Sequence, residues 1–315
     1  MKAGPSTRRV ERFRADLERL TKTEPARVGV AVSGGADSLA LLLLAEAALP
    51  GRVEAATVDH GLRTGSDAEA RFVAGLCAGL GIPHATLRPA EPIRGSLQAA
   101  ARRARYALLE QWREERGLEA VLTGHHADDQ AETLLMRLNR GAGLGGQSGI
   151  RPRFGRVLRP LLGWRHAELA ELVAEAGIEA VLDPANRDER FDRARIRRRL
   201  AGAPWLDPVA LARSAGALAE SDEALEWAAE RLAGERISGG TDGLRLDVRD
   251  LPPELRRRLV LRVLRRMGSG GDPRGESVSR LLDALQSGGT ATLAGVRCSG
   301  GAPWRFEPAP RRRQR

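Results

Sequence analysis

Six consecutive residues, Ser33-Gly34-Gly35-Ala36-Asp37-Ser38, combine two adjacent glycines, two hydroxyls and a carboxylate. Paired glycines let a backbone turn tightly and admit a bulky anion. Where a helix follows such a turn, its unpaired N–H groups and positive dipole end face the same anion. Ser33 and Ser38 add hydroxyl donors. Asp37 conflicts with a bare phosphate, since like charges repel, and a magnesium ion bridging it to phosphate oxygens removes the conflict. A second cluster, Gly124-His125-His126-Ala127-Asp128-Asp129-Gln130-Ala131-Glu132-Thr133, carries three carboxylates. On a helix, Asp128 and Glu132 are four apart and Asp129 and Glu132 three apart, so they share a face and call for a cation between them. Magnesium or a substrate ammonium meets that need. His125 and His126 are adjacent and point in different directions, so at most one faces that site. A third polar cluster is Asp59-His60-Gly61-Leu62-Arg63.

The stretches before these clusters are apolar and β-branched. Residues 28–32, 53–58, 84–87 and 118–122 read as strands, and 39–49, 67–80, 96–116 and 128–138 as the helices between them. This alternation predicts an α/β fold with a doubly wound parallel sheet. Ligands in such folds sit beyond the carboxyl ends of the strands, where the three polar clusters fall. Residues 141–149 are glycine-rich and read as a flexible loop over a substrate. Gly141, Gly143 and Gly146 spell GxGxxG, but they follow a helix and not a strand, which rejects a dinucleotide fingerprint. A Walker loop is excluded as well, because no lysine lies in any glycine-rich loop. After about Trp205 the pattern changes: helices are predicted over 208–231, 255–267 and 277–285, and strands over 244–248 and 290–297. The expected domains are 1–204, which carries the three polar clusters, and a mainly helical 205–315 that positions a partner and ends in a basic tail, Arg311-Arg312-Arg313-Gln314-Arg315.

The chain has 315 residues and a formal net charge of +10, which favours a polyanionic partner such as nucleic acid. All but two of its 51 basic residues are arginine, a bias that a GC-rich genome also produces. Cys77 and Cys298 are the only cysteines, so a CxxC zinc ribbon or a dithiol centre is excluded, and a reducing cytoplasm is expected. No apolar run is long enough for a membrane span, and the basic N-terminus lacks the apolar core of a secretory signal.

Ser33-Gly34-Gly35-Ala36-Asp37-Ser38 resembles the pyrophosphate loop of the PP-loop ATP pyrophosphatases, whose fold is adenine nucleotide alpha-hydrolase-like. The second cluster, with Arg137-Leu138-Asn139-Arg140-Gly141, resembles the tRNA(Ile)-lysidine synthetase family. So do Asp59-His60-Gly61-Leu62-Arg63, Ala101-Arg102-Arg103-Ala104-Arg105-Tyr106 and Arg159-Pro160-Leu161-Leu162. Asp183-Pro184-Ala185-Asn186 with Phe191, Arg193, Arg195 and Arg197 resembles a further family element, with Ala185 and Ala194 standing where the family has Ser and Asn. The likeness covers about residues 25–200.

The resemblance implies a ligase that forms a carbon–nitrogen bond. Cytosine O2 of the anticodon wobble cytidine in tRNA-Ile(CAU) attacks the α-phosphate of ATP, and pyrophosphate leaves. Free L-lysine then attacks the adenylated C2 and expels AMP, which changes codon reading from AUG to AUA. The loop residues Ser33, Gly34, Gly35, Ala36, Asp37 and Ser38 are implied to bind ATP, with Mg2+ at Asp37 and Asp129. Asp37, Asp129, Glu132 and His125 are the catalytic candidates, and Asp128, Asp129 and Glu132 the lysine-binding ones. Arg63, Arg105, Arg193, Arg195 and Arg197 are candidates for ATP or tRNA phosphates. The implied location is the cytoplasm; pairing into a homodimer is left open. The nearest rival, a PP-loop base thiolase, needs cysteines near the loops that the sequence does not offer. An amide-forming synthetase lacks any amidotransferase segment here. A basic RNA-binding protein with a degenerate nucleotide fold differs in releasing no pyrophosphate.

Overall fold

A computed structural model describes residues 4–61, 66–90, 97–181, 192–240, 242–268, 273 and 275–310. Its elements run α1 (Thr7–Thr21), β1 (Val28–Ala31), α2 (Ala36–Ala48), β2 (Val53–Val58), α3 (Ser66–Leu80), β3 (His84–Leu87), α4 (Leu97–Glu115), β4 (Ala120–Thr123) and α5 (Ala127–Asn139). The short α6 (Leu144–Gln147), β5 (Arg153–Phe154) and β6 (Val157–Leu158) follow, then α7 (His166–Glu175), α8 (Asp192–Ala201) and α9 (Pro208–Arg236). The chain ends in β7 (Ile237–Gly240), β8 (Gly243–Leu246), α10 (Pro253–Arg266), α11 (Gly275–Gln286), β9 (Thr290–Leu293), β10 (Val296–Ser299) and β11 (Trp304–Pro308). It divides into two compact units, 1–219 and 220–315, with the division inside α9.

In the first unit, six strands lie in the order β3-β2-β1-β4-β6-β5, parallel except for β5. The order reverses at β1, whose neighbours are β2 and β4. A crevice opens at such a switch point, beyond the strand ends. Val28–Ala31 and Ala120–Thr123 are buried along their whole length, as expected for strands covered on both faces. Leu39, Leu41, Leu42 and Leu44 on α2 are fully buried, and pack in one cluster with Phe13 and Leu17 of α1 and Leu169 and Leu172 of α7. Leu109 and Trp112 of α4 form a separate cluster with Ala31, Ala56 and Val121 of the sheet. This is the doubly wound arrangement the alternation predicts.

The second unit differs from a mainly helical expectation by holding a five-stranded antiparallel sheet, β7-β8-β11-β10-β9. The stretch 290–297, read as one strand, is a hairpin. Ala294 (φ 52°) and Gly295 (φ 79°) turn the chain between β9 and β10. Leu246, Val296, Cys298, Trp304 and Phe306 pack with Leu259, Val263 and Leu281 of α10 and α11.

Candidate active site

The loop after β1 holds its shape through its own hydroxyls. The Ser33 N–H donates to Ser38 Oγ at 3.1 Å, and that hydroxyl donates to the Gly35 carbonyl at 2.9 Å. Gly34 has φ +84°, a left-handed conformation that strains any other residue. Gly35 is the N-cap of α2, so the first N–H groups of that helix open beside the loop. Behind it runs the turn after β4. A Cβ on Gly124 would lie 3.0 Å from the carbonyl carbon and oxygen of Asp37, so only glycine lets the two loops touch.

A cleft of ≈ 600 Å³ lies against this loop, lined by Ser33, Asp37, Ser38, His60, Arg105, Gly124 and His125 among others. The wall beside His125 carries Arg105, and Asp37, Glu69, Asp129 and Arg193 also line the cleft. Arg159 is buried and donates to the Arg151 carbonyl at 2.6 Å and the Tyr106 hydroxyl at 3.3 Å. Among the described residues, neither Arg105 nor Arg159 pairs with a carboxylate. His125, expected as a catalytic group, belongs to this wall. Burial, then Arg159, Arg105 and Arg102, push its pKa down to about 2, and its Nδ1 lies 3.1 Å from Thr123 Oγ1. It is therefore a neutral hydrogen-bonding group and not a base. Asp59 shapes the neighbouring turn by accepting the Gly61 N–H at 3.0 Å and pairing with Arg88 at 3.1 Å. Arg63 and residues 182–191 lie outside the described residues.

A second cleft of ≈ 870 Å³ shares Gly35, Asp37, Asp129, Val181 and Arg193 with the first and is also lined by His126, Glu132, His166 and Arg197. Here the geometry corrects several sequence expectations. His126, not His125, is the histidine at Asp37: it caps α5, is buried, and its Nε2 lies 3.5 Å from an oxygen of Asp37 and of Asp129. His166, at the start of α7, brings Nδ1 to 2.7 Å from Asp37 Oδ1. Burial works against a charged His126, but Asp128, Asp37 and Asp129 outweigh it and raise its pKa to about 10. Burial likewise works to raise the Asp37 carboxyl, and His126 and His166 hold it well below the usual carboxylate range. Asp37, His126 and His166 can offer ligand atoms all within 4.8 Å of one another, so the donor set around Asp37 fits a divalent ion. Asp129, the expected metal partner of Asp37, instead accepts the His126 N–H at 3.2 Å and pairs with Arg193 at 2.8 Å.

Asp128, a lysine-binding candidate, is spent on architecture. It accepts from Arg165 Nε at 3.1 Å and from the His166 N–H at 2.8 Å, which fastens α7 to the start of α5. Glu132 is 1% exposed and sits between Arg193 Nε at 2.8 Å and Arg197 Nε at 2.6 Å. The cation that Asp129 and Glu132 need is thus supplied by α8, and these two arginines face carboxylates, not phosphates. Arg195, another phosphate candidate, pairs with Asp192 on the exposed side of α8. Residues 141–149 are not a free flap. Arg137 donates to the Gly146 and Gly149 carbonyls at 2.6 and 2.9 Å, and Gln130 exchanges hydrogen bonds with Ile150.

Residues 6–203 match the family model of the PP-loop domain. A tRNA(Ile)-lysidine synthase of Novosphingobium aromaticivorans is 51% identical over 96% of this chain and 94% of its own length. Another, from Zymomonas mobilis subsp. mobilis, is 45% identical over 91% of this chain and 90% of its own. The chain belongs to the tRNA(Ile)-lysidine synthase family of PP-loop proteins. A U34-tRNA thiolase from Methanococcus maripaludis, solved with its [4Fe-4S] cluster, shares the PP-loop fold: TM-score 0.57 at 18% identity, over 68% of this chain and 78% of that one. The likeness ends at the fold. Both cysteines of this chain are buried, and burial raises the thiols of Cys77 and Cys298 to about 11 and about 12, which removes them as sulfur-transfer nucleophiles. Sequence reasoning missed His126, His166 and Arg165. The first stood beside the residue chosen, while the other two carried no motif and reach the site only through the fold.

Proposed function

We propose that this chain joins L-lysine to C2 of the wobble cytidine of tRNA-Ile(CAU), using ATP and releasing pyrophosphate and AMP. The observation that carries this reading is the pair of clefts meeting at Asp37 and Asp129, one against the loop at 33–38 and one against Glu132, Arg193 and Arg197. Two half-reactions that share an adenylated base need such neighbouring compartments.

The loop at 33–38 and the start of α2 hold the β- and γ-phosphates, with fixed N–H groups aimed at the charge that develops on the leaving pyrophosphate. Arg105, which pairs with no carboxylate among the described residues, supplies positive charge in the same cleft. Asp37 stands beside the place where the Mg2+ that accompanies ATP would supply positive charge to the phosphate oxygens. The wobble base enters unstacked, as anticodon-loop bases do. Lysine occupies the second cleft. Arg193 and Arg197 use Nε and Nη2 on Asp129 and Glu132, which leaves their other nitrogens for the amino-acid carboxylate. The ε-amine must shed a proton before it attacks, and Asp37 and Asp129 are carboxylates common to both clefts. The reaction belongs in the cytoplasm, where its substrates are. No helix among the described residues is long and apolar enough to cross a membrane.

The test is incubation with labelled lysine, ATP, Mg2+ and tRNA-Ile(CAU). Label is expected to enter the tRNA, and to be lost in Asp37→Ala and when the anticodon C becomes U. Label that enters the U-bearing tRNA equally well would overturn the reading.

A further inference from the structure

Three helix starts converge on Asp37: its own, in the first turn of α2, the His126 N-cap of α5, and His166, the first residue of α7. The imidazoles of His126 and His166 lie 5.4 Å apart, centroid to centroid, with Asp37 reaching one through each carboxylate oxygen. His126 is 4% exposed, yet its Nδ1 makes no hydrogen bond, with Asp128 Oδ2 at 3.5 Å. Its Nε2, the nitrogen that faces Asp37, lies 3.5 Å from Asp37 Oδ2. Asp37 and His166 are open to the second cleft, so the group is reachable.

Two imidazole nitrogens and one carboxylate are a poor set for Mg2+, which takes oxygen ligands. They suit the first-row ions that accept imidazole, with coordination positions left open. We propose that Asp37, His126 and His166 form a seat for a divalent ion of the zinc and cobalt class, distinct from the Mg2+ that accompanies ATP. Three carboxylates, Asp37, Asp128 and Asp129, surround the imidazoles. On binding, the imidazole protons leave to solvent and the ion takes their place. The seat stands whether or not the lysine-ligating reading holds, because it is built from protein atoms alone.

The probe is Co2+, titrated into the tag-free, chelator-stripped full chain without ATP, lysine or tRNA. The expected result is one equivalent bound, with the intensified visible absorption of Co2+ held at low coordination number. Zn2+ is expected to displace it and Mg2+ in large excess to leave it. His166→Ala, at a half-exposed position, is expected to fold and to weaken Co2+ binding by about 100-fold. His84→Ala, whose imidazole bonds Thr57, is expected to leave it unchanged. A spectrum of the hydrated ion only, equal binding by His166→Ala, or displacement by Mg2+ as effective as by Zn2+ would overturn the proposal.

Discussion

A methyl group on Gly124 would meet backbone atoms of Asp37 at 3.0 Å and the Ser38 nitrogen at 3.2 Å, and neither is the free end of a side chain. Gly124→Ala is therefore expected to push the phosphate loop out of shape, costing about 1–3 kcal/mol of stability. It should weaken ATP binding together with the melting temperature; ATP binding left intact would place the nucleotide elsewhere. Glu132→Gln leaves two half-exposed arginines facing a neutral amide. A loss of about 1–3 kcal/mol is expected, with KM for lysine raised more than KM for ATP. Equal changes in both would remove Glu132 from the amino-acid cleft. His60, His84 and His125 are held below the ordinary imidazole value of 6.5, in each case by burial first. The folded chain then binds fewer protons than the unfolded one, so their contribution is complete above pH 6.5 and is lost as pH falls below it. A chemical-denaturation series from pH 7 to about 5 should show falling stability, with a shallower slope in His84→Gln. His126 and His166, shifted upward, stay protonated in the folded chain while the unfolded chain takes up their protons only as pH falls through 6.5, so they oppose this loss, and the comparison with His84→Gln isolates the contribution of one lowered imidazole. The phosphate loop was legible in the sequence because its six residues are contiguous. His166 was not, because it stands 129 residues from the carboxylate it bonds.

Among elements, α8 shows how a helix with no buried residue is held in place. Its Arg193 and Arg197 reach Asp129 and Glu132 on α5, so ion pairing substitutes for an apolar face. In the second unit the equivalent device is buried. Arg258 of α10 is 6% exposed and bonds Asp222 at 2.6 Å and Glu254 at 2.9 Å, with Glu226 alongside. Arg258→Ala removes a buried guanidinium that bonds Asp222, Glu226 and Glu254 and is expected to cost about 1–3 kcal/mol. Hydrogen exchange should show the loss in α9, α10 and the strands of the second unit; unaltered protection there would mean that burial alone holds α10. Long elements were legible because their apolar periodicity spans several turns, as on α3, α4 and α10. Of the strands of the second unit, β8, β9 and the start of β10 overlap the predicted 244–248 and 290–297, while β7 and β11 were not legible. They are four and five residues long, and on β11 Arg305 and Glu307 alternate with the buried Trp304 and Phe306, too short a pattern to separate from a loop.

For the whole molecule, a net charge of +10 and a tRNA partner together require strong salt dependence. The logarithm of tRNA affinity should fall linearly with the logarithm of salt concentration, by roughly 0.7–0.9 per phosphate neutralised. An affinity flat in salt would leave the charge to genome composition. Amino-acid identity along nearly the full chain ties both units to the lysidine synthases, while the clefts that explain the chemistry lie in the first unit alone. The central claim is that the loop at 33–38 cups the outer two phosphates while a tRNA base takes the nucleoside monophosphate. The most direct measurement follows ATP labelled at the α-phosphate, with tRNA-Ile(CAU) present and lysine added or withheld. Without lysine, label should accumulate on the tRNA as pyrophosphate appears; with lysine, it should leave as AMP, one per lysine incorporated. Release of ADP, or AMP formed at the same rate without tRNA, would contradict the account.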